Sequence, residues 1–227
     1  MRYLSYFLLF SSLMWSVTTS ASIVITGTRV IYPSDAKNVS VHVSNEGKQP
    51  ALIQSWIDKG EQQTRPEKIT VPFLLNPPIN RIEPGKGQTL KIQALSPSLP
   101  TDRESIFWLN VLEIPPVSKD LKSKNYIQIA FRSRIKLFYR PAGLEGASDS
   151  ASKLQWSPVS DGIRAYNPTP FYISLIKVKI GNKSLDGQMI APFSSTVFKT
   201  TYAKGANTLI ASSLNDYGAI INNQYSF

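Results

Sequence analysis

The chain has 227 residues, of which 42% are hydrophobic and 18% are charged, and it carries a formal net charge of +10 with no cysteine. This composition is typical of a folded protein with room for two modest domains, and it argues against intrinsic disorder. The lack of cysteine excludes a small scaffold stapled by disulfides, so the fold has to rely on its hydrophobic cores.

The first 21 residues, MRYLSYFLLFSSLMWSVTTSA, have the features of a cleaved secretory signal peptide. Arg2 precedes an apolar run from Leu8 to Val17, and small residues follow where signal peptidase would cut. A core helix is the alternative, but the run is too short to span a bilayer and an extended, β-like chain follows it. No second apolar run of membrane length exists, so we predict an exported protein without an integral membrane segment.

The basic charge remains after export, because removing Arg2 with the signal lowers the formal net charge only from +10 to +9. Nucleic acid is the usual partner of a basic protein, but export removes it, and the Lys and Arg residues are scattered rather than gathered in one run. We therefore expect no nucleic acid partner and favour protein partners that are acidic or carry a carboxylate.

Short alternating or apolar runs separated by turn residues fill the first half of the chain. The candidate strands are Ile23 to Ile31, Val39 to Val43, Ala51 to Ile57, Val71 to Leu75, Thr89 to Leu95, Ile106 to Ile114 and a long stretch from Asn125 to Arg140. Seven strands in about 120 residues predict an immunoglobulin-like sandwich.

After Pro141 the composition changes to AGLEGASDSASK, which is typical of a hinge between domains. A second series of shorter runs follows and predicts a second β-sandwich. The expected fold is therefore all-β, with two immunoglobulin-like domains at an angle joined by a short hinge. The expected boundaries are 1–21 for the signal peptide, 22–142 for the N-terminal domain and 143–227 for the C-terminal domain.

The stretch NYIQIAFRSRIKLFYR, from Asn125 to Arg140, alternates for longer than an ordinary strand. At about 3.3 Å per residue it would extend roughly 45 Å, whereas typical strands have about 5 to 6 residues. It is either a long core strand or an edge strand whose aliphatic side chains are meant for another polypeptide. Edges of the second kind are normally blunted by charge or proline, so a hydrophobic one indicates a binding role.

Catalysis has little support in the sequence. The single histidine, His42, alternates with Val41 and Val43 on a predicted strand, where a surface or satisfied histidine is the ordinary interpretation. There is no Gly-rich phosphate loop and no ligand cluster at metal spacing. We expect no catalytic residue, no metal and no cofactor.

Five motifs go beyond a generic β-sandwich. They are LPTDRESIFWLNVLEIP at Leu99 to Pro115, IKLFYRP at Ile135 to Pro141, NDYG at Asn215 to Gly218, NPPINRIEP at Asn76 to Pro84 and NPTPFY at Asn167 to Tyr172. With Thr28-Arg29 in the first strand, they closely resemble, in order, the periplasmic pilus-assembly chaperones of the PapD-like family from the chaperone-usher pathway. The sandwich of these chaperones is a known variant of the immunoglobulin-like architecture. Their pairing with a pilin strand is a known case of recognition by β-strand addition.

The resemblance implies roles for particular residues. Arg29 and Lys136 match the two cations that bind the C-terminal carboxylate of a pilus subunit, a ligand suited to a guanidinium and an ammonium. The side chains of the donated strand would bury enough apolar area for roughly 5 to 8 kcal/mol before ordering costs. These side chains are Ile127, Ile129 and Phe131. Three further residues match an ion network that links the two domains: Glu104, Arg140 and Asp216.

The function implied by the resemblance is that of a non-enzymatic periplasmic chaperone that binds pilus subunits and delivers them to an outer-membrane usher. An exposed hydrophobic edge would also favour self-association of the free protein. The alternatives are an exported pilus subunit or adhesin of β-sandwich type and, in a third class, a β-sandwich carbohydrate enzyme. The subunit alternative predicts an alternating N-terminal arm in place of a complete first domain, and the enzyme alternative needs a convergent acid pair.

Overall fold

A computed structural model describes residues 22–95, 98–116, 127–201 and 207–227, which form seventeen strands in two β-sandwiches. The predicted signal peptide lies outside the described residues, as do Asn125 and Tyr126 of the long predicted strand. Single turns of 3-10 helix occur at Pro66–Lys68, Ala147–Asp149 and Ala151–Lys153. The last two lie in the segment that joins the sandwiches.

The N-terminal sandwich contains nine strands. They are β1 (Ile23–Ile25), β2 (Arg29–Pro33), β3 (Val39–Asn45), β4 (Ala51–Asp58), β5 (Phe73–Asn76), β6 (Ile79–Ile82), β7 (Gly87–Ala94), β8 (Ser105–Ile114) and β9 (Phe131–Arg140). One sheet has the order β1-β3-β7-β5 and the other the order β2-β9-β8-β4-β6. The core between them includes the fully buried Val43, Ile53, Leu90, Leu109 and Leu137.

The single strand predicted from Ile23 to Ile31 is wrong, because the chain divides there into two strands of different sheets. β1 pairs antiparallel with β3, whereas β2 pairs parallel with β9. Between them Gly27 has φ +95°, a left-handed conformation that glycine adopts without steric cost. This division brings Arg29 directly beside Lys136 in the parallel register.

The long strand predicted from Asn125 is also shorter than expected, since β9 begins at Phe131. Its neighbour β8 ends at Ile114, and the last paired residues are Glu113 and Phe131. Residues 127–130 therefore have no ladder partner among the described strands, and they are exposed. Towards the other end of β9 the predicted alternation holds, because Leu137 is buried in the core while Ile135 and Tyr139 pack against it.

The C-terminal sandwich contains eight strands: β10 (Gln155–Val159), β11 (Gly162–Tyr166), β12 (Ile173–Ile180), β13 (Lys183–Asp186), β14 (Met189–Ile190), β15 (Ser195–Lys199), β16 (Thr208–Leu214) and β17 (Ile220–Ser226). One sheet has the order β10-β11-β15, and the other has the order β13-β12-β16-β17 with β14 paired to β12. The core contains Trp156, Ile163, Val178 and Phe198 among other apolar residues.

Candidate functional site

The two cations predicted to bind a carboxylate lie side by side at the junction between the sandwiches. Arg29 begins β2, Lys136 lies on β9, and the two residues are partners in the parallel register. The Nη1 of Arg29 donates to the carbonyl of Leu214 over 3.2 Å, and the Nζ of Lys136 donates to the Oγ of Ser174 over 3.1 Å. Both acceptors belong to the second sandwich, so the paired cations face it.

Neither cation forms an ion pair with any of the described residues. The Nε of Arg29 is buried and has no hydrogen-bond partner in the described part of the chain. Burial lowers the pKa of Arg29, against the attraction of Asp216 and Glu104. Burial and then the neighbouring Arg29 lower the pKa of Lys136. Two adjacent, half-buried cations that form no ion pair with the described residues are a site suited to an external anion.

One edge of β9 is open along half of its length. β8 pairs with β9 from Phe131 to Tyr139, but on the opposite side β2 pairs only with residues 136–140. The first half of the strand, residues 131–135, therefore has backbone donors and acceptors without a ladder partner on the β2 side among the described strands. Such an edge is a template for a strand from another chain.

The three predicted donor residues lie at or before this open edge and are largely exposed. The exposed fraction is 91% for Ile127, 60% for Ile129 and 66% for Phe131. They share the parity of Ile135 and Leu137, which contact the core of the first sandwich. The same face of the chain therefore changes from core packing to solvent exposure between Ile135 and Phe131.

The side chain of Arg140 joins two acids at the domain junction. Its Nε donates to the Oε1 of Glu104 over 2.7 Å. Its two terminal nitrogens donate to the two carboxylate oxygens of Asp216 over 2.7 and 2.9 Å. Glu104 and Arg140 belong to the first sandwich and Asp216 to the second, so this bidentate contact crosses between them.

The buried Glu104 also binds the backbone of the second sandwich. Its Oε2 accepts from the backbone N–H of Tyr172 over 2.8 Å, and its own N–H donates to the carbonyl of Pro170 over 2.9 Å. Burial raises the pKa of Glu104, against the opposing effect of the Tyr172 N–H and Arg140. Burial alone would lower the pKa of Arg140, but its bonds to Asp216 and Glu104 raise it. Arg140 therefore stays charged.

Aromatic contacts extend the junction, and sequence reasoning assigned them no role. The rings of Phe138 and Tyr172 lie 5.7 Å apart, and the guanidinium of Arg140 lies 5.2 Å from the centre of the Phe171 ring. The guanidinium of Arg103 lies 4.9 Å from the centre of the Phe193 ring. Two of these aromatic residues, Phe171 and Tyr172, are part of the NPTPFY motif. This motif was the feature of the sequence from which their contacts could have been anticipated.

A second buried ion pair, which was not predicted, lies on the face of β9 opposite to the one that contacts the core of the first sandwich. Arg134 donates to the carboxylate of Asp58 over 2.5 Å, and the Nδ2 of Asn110 donates to the same carboxylate over 2.8 Å. The guanidinium of Arg134 lies 4.2 Å from the centre of the Trp108 ring. The alternation of β9 places Arg134 on the same face as Lys136, but no local signal identifies Asp58 as its partner.

Among the described residues, no group of three or more His, Cys, Asp or Glu side chains is arranged to hold a metal ion. Within those same ranges no helix has both the length and the apolar character needed to cross a membrane.

Two family models match almost the whole of the described chain. Residues 22–145 match the N-terminal domain of PapD, described as a pili and flagellar-assembly chaperone. Residues 149–225 match the C-terminal domain of the pili assembly chaperone PapD. The chain therefore belongs to the PapD family of pilus-assembly chaperones, and this family is not one of enzymes.

Relatives of known sequence agree with this assignment. The probable fimbrial chaperone YadV of Escherichia coli K12 is 44% identical over 222 residues, which cover 91% of this chain and 90% of YadV. The chaperone protein FimB/FhaD of Bordetella pertussis is 42% identical over 210 residues, covering 88% of this chain and 86% of that protein. The alternative of an exported pilus subunit or adhesin is not favoured, because both matched domains are chaperone domains.

Solved structures confirm the predicted fold of two immunoglobulin-like domains. The CupB2 chaperone of Pseudomonas aeruginosa superposes with a TM-score of 0.79 at 38% identity, over 90% of this chain and 100% of CupB2. The SafB chaperone of Salmonella enterica, solved in complex with the SafA pilin, gives a TM-score of 0.80 at 26% identity over 93% of this chain and 99% of that chain.

Proposed function

We propose that this protein is a periplasmic chaperone that captures a pilus subunit by pairing β9 with a strand of the subunit and by binding the subunit's C-terminal carboxylate. The observation that carries the proposal is the position of Arg29 and Lys136. These cations form no ion pair among the described residues, and they lie where β2 begins to cover the open edge of β9. A strand that pairs with this edge would reach the cations where β2 begins.

The chemistry of the cation site supports a terminal carboxylate as its ligand. A carboxylate would accept from Arg29 and Lys136 together, and it would restore the favourable electrostatic energy that both cations lose by burial. It would also reduce the repulsion between the two cations. A neutral or positively charged group would do neither.

The exposure of the donor residues supports the strand-pairing role. Ile127, Ile129 and Phe131 project their side chains into solvent, which is costly for a soluble protein unless a partner covers them. A subunit with an incomplete sandwich would bury these alternating side chains in its own core, while the β9 backbone completes the ladder. The pilin complex of the SafB relative supports a pilin as this partner.

The family assignment and the sequence support the remaining steps of the proposal. The predicted signal peptide supports export to the periplasm, where the chaperone would hold a subunit until an outer-membrane usher receives it. Relatives that are named fimbrial chaperones support this role.

The test begins with purification of the tagged chaperone from the periplasm of its own bacterium and identification of the bound subunit by mass spectrometry. Binding is then measured by calorimetry with a synthetic peptide of the subunit's C-terminal residues, prepared as the free acid and as the amide. We expect Arg29→Ala and Lys136→Ala to abolish binding of the free acid, and amidation to abolish binding to the wild-type protein.

Lys91→Ala is the matched control, because it removes the same charge from an exposed position on β7 of the opposite sheet. Its binding should equal that of the wild-type protein. Equal affinity of the wild-type chaperone for the acid and the amide would refute the carboxylate site.

A further inference from the structure

The turn between β16 and β17, residues 215–219, contacts the first sandwich at two points. Asp216 accepts both hydrogen bonds from the terminal nitrogens of Arg140. Gly218 has φ +81° and lies so close to Thr28 that a Cβ atom on it would be 2.6 Å from the Thr28 Oγ1. The turn is therefore fixed against the residue that precedes Arg29.

Internal hydrogen bonds hold the same turn in one shape. The side-chain Oδ1 of Asn215 accepts from the backbone N–H groups of Tyr217 and Ala219 over 3.0 and 2.9 Å. The backbone of Asn215 also exchanges bonds with Ala219 and Gly218, each over 3.0 Å. A turn with so many local bonds loses little conformational entropy when it binds a partner.

This rigid turn presents apolar side chains to solvent. Tyr217 is 95% exposed, and Ile220 and Ile221, at the start of β17, are 61% and 41% exposed. Residues 217–227 contain no Asp, Glu, Lys or Arg, although the whole chain has a formal net charge of +10. A preorganised tyrosine beside exposed aliphatic side chains is the composition of a protein-binding surface.

The turn that carries Tyr217 and leads to Ile220 borders the cation site. The carbonyl of Leu214, at the end of β16, accepts from Arg29. On the other side the turn packs on Thr28, where the β2 strand is about to begin. A chain that pairs with the open edge of β9 and ends at Arg29 and Lys136 would therefore bring its C-terminal end, and the surface beside that end, next to this turn.

We infer that Tyr217 and Ile220 form a second contact surface of the chaperone, which binds the folded body of the captured pilus subunit beside its C-terminal strand. The inference rests on the proposed function, because the occupant is the protein whose carboxylate lies at Arg29 and Lys136. An uncharged apolar patch next to two cations matches a partner that brings one terminal carboxylate and an apolar surface. The second sandwich then has a binding role of its own.

The test is competition between chaperones for a limiting amount of subunit. The subunit identified by mass spectrometry is diluted from denaturant into an equimolar mixture of wild-type chaperone and the double variant Tyr217→Ser/Ile220→Ser. Native mass spectrometry then measures the ratio of the two complexes. We expect the double variant to compete about tenfold less well, the loss typical of an interface anchor.

Two controls separate this surface from the carboxylate site. The free-acid C-terminal peptide should bind the double variant as tightly as it binds the wild-type protein, because the peptide carries no folded body. Ile79→Ser removes a side chain of similar exposure, 57%, from β6 of the first sandwich and should compete equally with the wild-type protein.

If the double variant and the wild-type chaperone bind equal amounts of subunit, the inference is overturned. If Arg29→Ala is excluded from the subunit in the same kind of mixture, the proposed function stays intact. A parallel loss of peptide binding would also overturn it, because the substitutions would then act through the cations. So would a wild-type dimer that the double variant fails to form, since the patch would then contact a second copy of this chain. Equal competition by Arg29→Ala would instead contradict the proposed function.

Discussion

Arg29 and Lys136 are held next to each other although burial disfavours the charged form of both side chains. Burial lowers the pKa of both groups, and the charge of Arg29 lowers the pKa of Lys136 further. The arrangement costs folding free energy, because the charged forms are less well solvated in the folded protein than in the unfolded chain. A cost of this kind at an open site is typical of a position selected for binding.

This pKa shift predicts a pH dependence of carboxylate binding. A bound carboxylate raises the lowered pKa of Lys136, so binding is tightest where the lysine is already protonated and weakens as pH rises through its pKa in the free protein. We expect the affinity for the free-acid peptide to fall at a pH below 10.5, the ordinary value for lysine. Calorimetric titrations at a series of pH values measure this fall.

Lys136→Arg provides the comparison, because a guanidinium stays protonated throughout that range. Its affinity for the peptide should depend much less on pH, even if it is weaker than that of the wild-type protein. Identical pH profiles for the two proteins would show that Lys136 does not titrate in contact with the ligand.

Strand β9 serves three surfaces with a single alternating pattern. One face contributes Leu137 to the core and leaves Phe131 exposed. On the other face Lys136 contacts Ser174 of the second sandwich, and Phe138 packs against Tyr172. An introduced charge should therefore destabilise the fold at a buried position of the Leu137 face and affect only partner binding at an exposed one.

Leu137→Asp in β9 and Ile129→Asp in the segment just before β9 test this difference. Leu137 is fully buried, so an unpaired carboxylate there should lower the free energy of unfolding by about 3 kcal/mol or more. Ile129 is 60% exposed, so its replacement should leave the thermal midpoint nearly unchanged and eliminate subunit capture. Thermal denaturation and co-purification of the subunit provide the two readouts.

Ile79→Asp is the control for surface charge, because Ile79 is 57% exposed on β6. It should retain both the thermal midpoint and the captured subunit. An intact midpoint together with intact capture in Ile129→Asp would remove the donor role of Ile129.

Local pattern was sufficient to predict most strands, because alternation and turn residues act over a few residues. It failed where the partner strand decides the outcome. The alternation of Ile127 and Ile129 continues that of β9, but β8 ends at Ile114, so these residues have no ladder partner among the described strands. The strand β6 was not predicted, because its two apolar residues, Ile79 and Ile82, lie three positions apart and do not alternate with a period of two.

The site was predictable only in part for the same reason. Arg29 and Lys136 were predicted through the family motifs, whereas their acceptors, Ser174 and the Leu214 carbonyl, belong to a domain more than 30 residues away along the chain. The sequence alone has no signal for such contacts, because they depend on how the two sandwiches pack. The buried pair of Arg134 and Asp58 was missed on the same ground.

The two sandwiches are joined by contacts that converge on Arg140. Its guanidinium binds Glu104 in the first sandwich and Asp216 in the second, and the carboxylate of Glu104 reaches the Tyr172 backbone. Since a buried ionic network often fixes orientation more than it adds stability, we expect the angle between the domains to depend on it.

Asp216→Asn should loosen the junction while both domains stay folded. The substitution removes the charge opposite Arg140, but Glu104 keeps its contacts, so we expect a broader distribution of interdomain angles rather than unfolding. Small-angle scattering measures the distribution, and limited proteolysis near Gly146 measures access to the hinge. Asp186→Asn, an exposed acid on β13, is the matched control.

Circular dichroism of Asp216→Asn should match that of the wild-type protein. Scattering curves and cleavage rates that are indistinguishable among the three proteins would contradict a role of Asp216 in setting the angle.

The position of β2 along the edge of β9 has a consequence for the polarity of any captured chain. β2 blocks the edge of β9 from Lys136 onward, so a captured strand can extend only from there towards Phe131. If its carboxyl end lies at Lys136, it must run in the same direction as β9. Parallel ladders are slightly less stable per residue than antiparallel ones. A subunit completed by a parallel β9 strand would therefore be less stable than the same subunit completed by an antiparallel strand. An antiparallel strand from another source would then be able to displace the chaperone.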